Sequence, residues 1–543
     1  MSRTTLSGVP VSPGSASGPV VTVAEPAAAP ESGPAPTDPQ AEATRIAPAA
    51  QVVAQRLEAL AERASGDAAT ILLTTAAMAA DPALVSEAER LVTAEGKPAP
   101  RAVYEAADGF AKALSAAGGY LAERVRDIED IRDRIIAELQ GVAPPGVPDL
   151  TGPSVLVARD LAPADTAGLD PAQVLALVTE EGGPTSHTAI LARSLGIPAV
   201  VAVRGVLELD AKALSVDGDT GTVAVVDAGA PVVAAVRDRP AEWNGIGATS
   251  DGRTVRVLGN VGSPADATAA AEAGAEGVGL FRTEFCYLDA AAEPSVDEQR
   301  AAYAAVLAPF AGKPVVVRTL DAGADKPLAF LNPEAEPNPA LGVRGLRIAF
   351  DRPDVLERQL EAIAAAAAES GAEVSVMAPM VSTAAEAAWF AQRVRAAGIA
   401  RAGVMIEVPA AGLAAAEILA AVDFVSVGTN DLAQYTFAAD RQLGAVATLN
   451  DPWQPALLRL IELIGRAAGE AGKPAGVCGE AAADPLLARV LAGLGMTSLS
   501  MNAPAVRAVG ASLAAVSAAD CAAAARAALA AATPADARAA ARG

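Results

Sequence analysis

The sequence predicts a multidomain α/β protein: a β/α domain interrupted by an inserted helical bundle, then a (β/α)8 barrel. Three observations carry this. Residues 251–530 repeat a strand, loop and helix rhythm eight times, as a closed parallel barrel does. Residues 41–140 place apolar side chains three and four apart, which is helical periodicity. The flanking stretches, 6–23 and 148–230, are short apolar runs punctuated by Gly and Pro, the pattern of strands and turns.

Length and composition agree. A chain of 543 residues exceeds what one core can serve, so about two to four domains are expected. With 52% hydrophobic and 19% charged residues, the chain is globular rather than disordered. Apolar stretches are Ala-rich and interrupted by charge, so no membrane span is expected. The start, Met1-Ser-Arg-Thr-Thr-Leu-Ser7, lacks the apolar run of a signal peptide. Three cysteines without C-x-x-C spacing build neither a disulfide framework nor a zinc site, and a reducing cytoplasm is expected. A net charge of −23 argues against general nucleic-acid binding, which needs a basic face. It favours a soluble protein that captures an anionic substrate with a few placed arginines.

In chain order, residues 6–23 read as short strands, and residues 24–40, rich in Ala, Pro and Glu, as a linker or exposed loop. The insertion at 41–140 is punctuated by Gly66, Pro82 and Gly96-Lys-Pro98, which divides it into about four helices. Such a bundle is either structural or a docking surface. Strands are expected at Ser154–Ala158, Val174–Val178, Ala199–Val203 and Thr222–Val226. The domains are then 1–40 with 141–230, the insertion 41–140, a linker or hinge at 231–250, the barrel 251–530 and a tail 531–543; the Ala-rich stretch after about 515 is expected to be helical, with its last residues disordered. The barrel strands are expected at Val255–Val261, Gly277–Phe281, Val315–Arg318, Glu373–Met377, Gly403–Ile406, Phe424–Val427, Ala475–Val477 and Ser498–Met501.

One stretch stands apart. His187 is the only histidine of the chain, and it sits in Gly182-Gly-Pro-Thr-Ser-His-Thr-Ala-Ile-Leu-Ala-Arg193. A strand leads into the Gly-Gly turn and a helix-forming run follows. That puts an imidazole near a helix N-terminus, where free N–H groups and a partial positive charge suit phosphate. Imidazole is also a nucleophile near neutral pH, so this histidine reads as a phosphoryl acceptor.

The barrel strands end in reactive residues: Arg282-Thr-Glu, Arg318-Thr-Leu-Asp321, Glu407-Val-Pro, Gly428-Thr-Asn-Asp431 and Cys478-Gly-Glu480. Barrel enzymes place their sites at this rim. Arginines suit phosphate and carboxylate because the guanidinium fork bonds bidentately. Glu407 and Asp431 either hold Mg²⁺, which uses one or two protein carboxylates beside substrate oxygens, or pair with the arginines. Cys478 is an acid, a nucleophile or a small buried residue.

These motifs, with Gly277-Val-Gly-Leu-Phe-Arg-Thr-Glu-Phe285, Val404-Met-Ile-Glu-Val-Pro409, Gln434-Tyr435, Asp440-Arg441 and Gly476-Val-Cys-Gly-Glu480, resemble Enzyme I of the sugar phosphotransferase system. The resemblance runs from about residue 6 to about residue 530. It implies a swivelling phosphohistidine domain, an inserted domain that docks the carrier protein HPr, and a TIM-type barrel that binds phosphoenolpyruvate. Arg282, Arg318, Arg441 and Arg344, with Asn430 and the backbone at Asp431, would hold that substrate. Glu407 and Asp431 would hold Mg²⁺. His187 would take the phosphoryl group and pass it to HPr, in the first step of sugar uptake. Cys478 would protonate the enolate of pyruvate, and Thr166 would orient the histidine. A cytoplasmic homodimer joined through the barrel is also implied. One departure is Pro184, where many relatives carry Arg or another polar residue; it removes a backbone N–H from the histidine loop.

A dikinase that makes or uses phosphoenolpyruvate is the alternative, since dikinases share the Thr-Ser-His segment and the barrel. It also needs an ATP-grasp domain, for which the chain has no room. A regulatory relative with an extra N-terminal sensor domain, and a docking protein without turnover, fit the motif set less well.

Overall fold

The computed structural model describes residues 4–23, 29–31, 33–61, 67–117, 125–142, 145–148, 150, 152–161, 169–170, 172–183, 186–227, 231–233, 243–287, 292–323, 328, 330–331, 336–441 and 443–542. The chain divides into two compact units, one formed by residues 1–237 and 441–448, the other by 238–440 and 449–543.

The first unit holds an eight-stranded sheet and the helical insertion. The strands are β1 (Thr5–Ser7), β2 (Val9–Ser12), β3 (Ser15–Thr22), β4 (Ser154–Ala158), β5 (Val174–Thr179), β6 (Ala199–Val201), β7 (Ala213–Asp217) and β8 (Thr222–Val225). Their order is β1-β8-β7-β3-β4-β5-β6-β2. The central run β3-β4-β5-β6 is parallel, and the outer pairs are antiparallel. β4 and β5 are buried along their whole length, which is why they read as unbroken apolar runs. A parallel β5–β6 pair needs a crossover, and helix His187–Leu195 supplies it.

The insertion forms six helices among the described residues rather than about four: Pro39–Ala43, Ile46–Ala61, Asp67–Ala79, Pro82–Glu95, Ala99–Ala117 and Val125–Gln140. Local chemistry sets several of the helix ends. Asp38 accepts from the amides of Gln40 and Ala41 to start the first helix, and Asp81 caps the fourth ahead of Pro82. Gly96 ends that helix in the left-handed region, which Gly adopts without strain. Ile46, Val53, Leu57, Leu72, Ile131 and Ile135 are buried in its separate core.

The second unit is a closed barrel of eight parallel strands: β9 (Arg256–Val261), β10 (Val278–Arg282), β11 (Pro314–Arg318), β12 (Glu373–Ala378), β13 (Ala402–Ile406), β14 (Phe424–Gly428), β15 (Ala475–Cys478) and β16 (Ser498–Met501). All eight expected strands are present within a residue or two. β16 pairs with β9 to close the ring.

The ends of this unit bear on two expectations. The Ala-rich tail is helical as expected, but its last turn is ordered rather than loose: Pro534–Ala541 is a helix, and Ala537 and Ala541 join the barrel's hydrophobic core. The boundary between the two units falls inside the expected linker 231–250, between residues 237 and 238. Val233 bridges to Ser17 in the first unit, and the Trp243 ring packs in the second, filling the space where Gly510 lacks a side chain. Apolar side chains, placed where a neighbouring surface can bury them, decide both cases.

No single helix among the described residues is long and apolar enough to cross a membrane. One bent pair, Ala503–Ala514 with Ala518–Ala530, passes by length and composition, but Val506, Val509, Leu513, Cys521 and Ala525 are spent on the barrel core.

Candidate active site

In the first unit, His187 is the first residue of its helix, immediately after β5 and the glycine turn. Ser186 is the N-cap, and its Oγ accepts from the amide of Ala189 at 3.3 Å. A Ser cap leaves other first-turn amides open toward an anion. Gly182 adopts a φ of +95°, which lets the chain turn sharply between strand and helix. Arg193 anchors the far end of the helix to the carbonyl of Val11 on β2 at 3.2 Å. Pro184, Thr185 and Thr166 lie outside the described residues.

In the second unit, the barrel gathers most of the expected set at the C-terminal ends of its strands. Arg282 ends β10, Arg318 ends β11, Glu407 follows β13, Asn430 and Asp431 open the helix after β14, and Cys478 ends β15. Arg344 comes from the loop after β11, where Gly323 bridges to it. Arg318, Arg344, Glu407, Asp431 and Cys478 are all buried. Charges this deep persist only as mutual partners.

The partnerships are specific. Arg318 lies 3.1 Å from Glu284, 3.3 Å from Asp321 and 4.0 Å from Glu407, and its Nε is buried without a hydrogen-bond partner. One Nη of Arg344 reaches both oxygens of Asp321 at 3.3 Å. The other lies 3.7 Å from Asp431 and donates to the Tyr435 hydroxyl at 3.2 Å. Glu407 accepts from the amide of Met380 at 2.8 Å. Gly428 leaves the room this needs, since a Cβ there would meet Glu407 Cγ at 2.7 Å. Asn430 Oδ1 accepts from the amide of Glu480 at 3.4 Å. The Ser426 hydroxyl lies 3.5 Å from the Cys478 thiol, which reaches the carbonyl of Val427 at 3.5 Å.

Electrostatics follows from burial and these neighbours. Burial, then Asp431 and Asp321, push the Glu407 carboxyl up to about 7. Burial pushes the Cys478 thiol up to about 11, opposed by the Ser426 hydroxyl. Burial and the Arg318 charge hold Arg282 below the ordinary arginine range. For Arg318, burial works against the charge, and Glu284, Asp321 and Glu407 outweigh it, so its pKa rises. Among the described residues no three His, Cys, Asp or Glu side chains form an ion site by themselves. The donor set instead suits a cation that takes one or two protein carboxylates and completes its shell with substrate oxygens and water.

Arg441 is half-buried and groups with the first unit. Conversely, Glu284 and Asp321 stand in the quoted motifs without an assigned role, yet they neutralise Arg318 and Arg344. Their only signal in the sequence is a place beside a strand-terminal arginine.

The sequence profile of the PEP-utilising enzymes matches in three parts: the PEP-binding domain at residues 241–518, the mobile domain at 150–221 and the N-terminal domain at 7–124. A phosphoenolpyruvate-protein phosphotransferase of Streptomyces coelicolor is 54% identical over 99% of both chains. The chain belongs to the phosphoenolpyruvate-protein phosphotransferase family. Relatives of that name from Latilactobacillus sakei, 40% identical over 79% of both chains, and Haloferax volcanii, 42% identical over 78% of both, agree. As a phosphoenolpyruvate-protein phosphotransferase it is an enzyme of phosphoryl transfer. Its mobile-domain match contains His187, and its PEP-binding match contains every residue of the barrel cluster.

Proposed function

We propose that the barrel rim binds phosphoenolpyruvate, that His187 takes its phosphoryl group, and that a histidine of the small carrier HPr receives it, as the first step of sugar uptake. The observation that carries this reading is the buried cluster of Arg318, Arg344, Glu407 and Asp431 at successive strand ends, beside Arg282 and Cys478. Dense, fixed positive charge is what a phosphorylated carboxylic acid requires.

Arg282, Arg318 and Arg344 bind the phosphate and carboxylate, with Asn430 and the backbone at Asp431, and Arg441 joins them from its loop. The Arg318 and Arg344 guanidiniums are already held by Glu284 and Asp321, so binding needs little reorganisation. An imidazole nitrogen of His187 attacks phosphorus in line. The N–P bond forms as the P–O bond to the enolate breaks, and the electron pair leaves on oxygen. Cys478 then gives its proton to the enolate carbon, yielding pyruvate, and the thiolate recovers a proton from solvent. In the second half-reaction the N–P bond at His187 breaks as one forms on the carrier's histidine. Thr166 orients His187. The helices of residues 41–140 form the carrier's dock.

Glu407 and Asp431 are the residues that would hold Mg²⁺. Crowding of Asp431 and Asp321 on buried Glu407, which raises its pKa, fits an added cation. When bound, the ion neutralises charge on the transferring oxygens. Exposed Leu341, Val343, Phe350 and Leu413 on the barrel unit support a homodimer through that unit, and the three free cysteines support a cytoplasmic location.

Intact mass after mixing with phosphoenolpyruvate and Mg²⁺ tests the reading. One acid-labile phosphoryl group is expected. It should be absent with EDTA or in His187→Ala, and lost on adding HPr. Labelling by ATP instead, or by neither donor, would overturn it.

A further inference from the structure

Behind the rim, a second set of polar side chains is fully buried, and it meets the substrate arginines only through their main chain. Thr283 follows Arg282 directly. Its hydroxyl donates to the carbonyl of Arg318 at 2.9 Å, and it thereby ties the ends of β10 and β11, where Arg282 pairs with Arg318. Gln359, on helix Pro353–Ser370, donates from Nε2 to Thr283 Oγ1 at 3.1 Å and to the Tyr303 hydroxyl at 3.2 Å. Its Oε1 accepts from the amide of Leu320 at 3.0 Å.

The network continues outward. Tyr303 and Tyr287 join hydroxyls at 2.8 Å, Tyr287 donates to Gln299 Oε1 at 2.7 Å, and Gln299 Nε2 donates to the carbonyl of Pro294 at 2.8 Å. Every one of these side chains is buried. The donors fix one direction at its inner end: Gln359 has only two amide protons, and both are used, so the Thr283 hydroxyl is free to donate only to Arg318. Reversing the Gln359 amide would face its NH₂ to the Leu320 N–H and leave Thr283 and Tyr303 without their donors. The inner part of the network, Gln359 to Thr283 to the Arg318 carbonyl, therefore has one satisfied state, while the outer tyrosine pair can donate either way, since both hydroxyls reach Gln299 Oε1.

We propose that Thr283 and Gln359 are positioning residues for the substrate arginines, setting the main chain that carries Arg282 on one side and Arg318 on the other. The inference rests on the reading that these arginines bind phosphoenolpyruvate. Two guanidiniums on separate strands act on one phosphate only if their strand ends keep register. Pairing within β10–β11 shifts register between Val278 and Phe281, so only the Phe281–Val317 and Arg282–Arg318 pairs of the ladder hold the strand ends in step. The hydroxyl of Thr283 and the amide of Gln359 bond both chains past that irregularity.

Steady-state kinetics and melting of the full chain test this with Thr283→Val, Thr283→Ser and Tyr287→Phe. Thr283→Val removes the hydroxyl at constant shape. Its KM for phosphoenolpyruvate should rise, or its kcat fall, by about tenfold or more, and Thr283→Ser should restore the parent values. Tyr287→Phe, at the outer end of the same network, should lower the melting temperature yet leave KM and kcat unchanged. If the folded Thr283→Val enzyme keeps parent kinetics, or if Tyr287→Phe changes them equally, the network is only a core and the proposal fails. Arg282→Ala separates the two levels. If it raises KM while Thr283→Val does not, only positioning is lost; if it too leaves KM unchanged, the substrate reading itself is wrong.

Discussion

The backbone amide of Met380 donates to Glu407 at 2.8 Å from a left-handed conformation, φ +58°. A side chain as large as Met rarely adopts that region, and holding it there costs on the order of 1 kcal/mol. The strain aims an N–H at a carboxyl that is otherwise crowded by Asp431 and Asp321.

That crowding predicts a pH effect. The carboxyl of Glu407 is raised from its ordinary 4.5 to about 7, so between those values the folded protein holds a proton that the unfolded chain has released. Metal-free stability therefore falls as pH rises through this window, by at most about 3 kcal/mol. Mg²⁺ at Glu407 needs the carboxylate, so its apparent affinity should weaken up to about tenfold per pH unit below 7. Denaturant midpoints with and without Mg²⁺ from about pH 5 to pH 8 check both parts. Glu407→Gln should flatten the metal-free profile; an unchanged profile in that variant would assign the effect elsewhere.

Arg318 faces three carboxylates, Glu284, Asp321 and Glu407. Removing it strands buried negative charge, so Arg318→Ala should lose about 3–5 kcal/mol of stability. Arg318→Lys keeps the charge but not the fork. It should melt nearer the parent while kcat/KM for phosphoenolpyruvate falls about 10–100-fold. Parallel melting curves and initial rates of pyruvate release separate the two losses. Equal losses in both variants would make the residue a structural ion-pair partner.

The thiol of Cys478, pushed up to about 11 by burial, stays protonated through the working pH range. Native enzyme should therefore resist iodoacetamide at this position from about pH 6 to pH 9. Cys478→Ser should still phosphorylate His187 once, because breaking the P–O bond needs no proton at carbon. Turnover and deuterium entry into pyruvate should slow by about 10²–10⁴-fold. Rapid-quench phosphohistidine formation against deuterium uptake reads this split, and unimpaired deuterium entry would remove the thiol from the donor role.

How much of this was legible in the sequence depends on the range of the interaction. The barrel strands could be read because residues such as Ala402–Ile406 and Phe424–Gly428 are buried on both sides and so spell nearly continuous apolar runs. β7, Ala-Leu-Ser-Val-Asp, did not declare itself; short, polar-interrupted and antiparallel, it is a strand because β3 and β8 pair with it. Arginines and carboxylates at strand ends were visible, but which carboxylate neutralises which arginine was not. The Arg344–Asp321 and Arg318–Glu284 pairs join different strands and loops. Nothing in Met380 signals a left-handed backbone, and no local pattern joins Thr283 to Gln359.

The C-terminal helix gives the last prediction. Arg538 projects from Pro534–Ala541 into the barrel unit, 3.4 Å from Asp451, with its guanidinium 5.4 Å from the Trp453 ring centroid. Trp453 Nε1 in turn donates to Asp484 at 2.8 Å, and Asp484 caps helix Pro485–Gly493. Burial already raises the Asp451 carboxyl, against the pull of Arg538, so that charge depends on its partner. Arg538→Ala should lower the melting temperature by roughly 5–15 °C. The double variant Arg538→Met with Asp451→Asn removes both charges while roughly keeping volume, and it should recover part of that loss. A single variant that melts like the parent would show that Asp451 finds water instead. A double variant no better than the single would mean that the helix is held by Ala537, Ala541 and the Trp453 contact rather than by the ion pair.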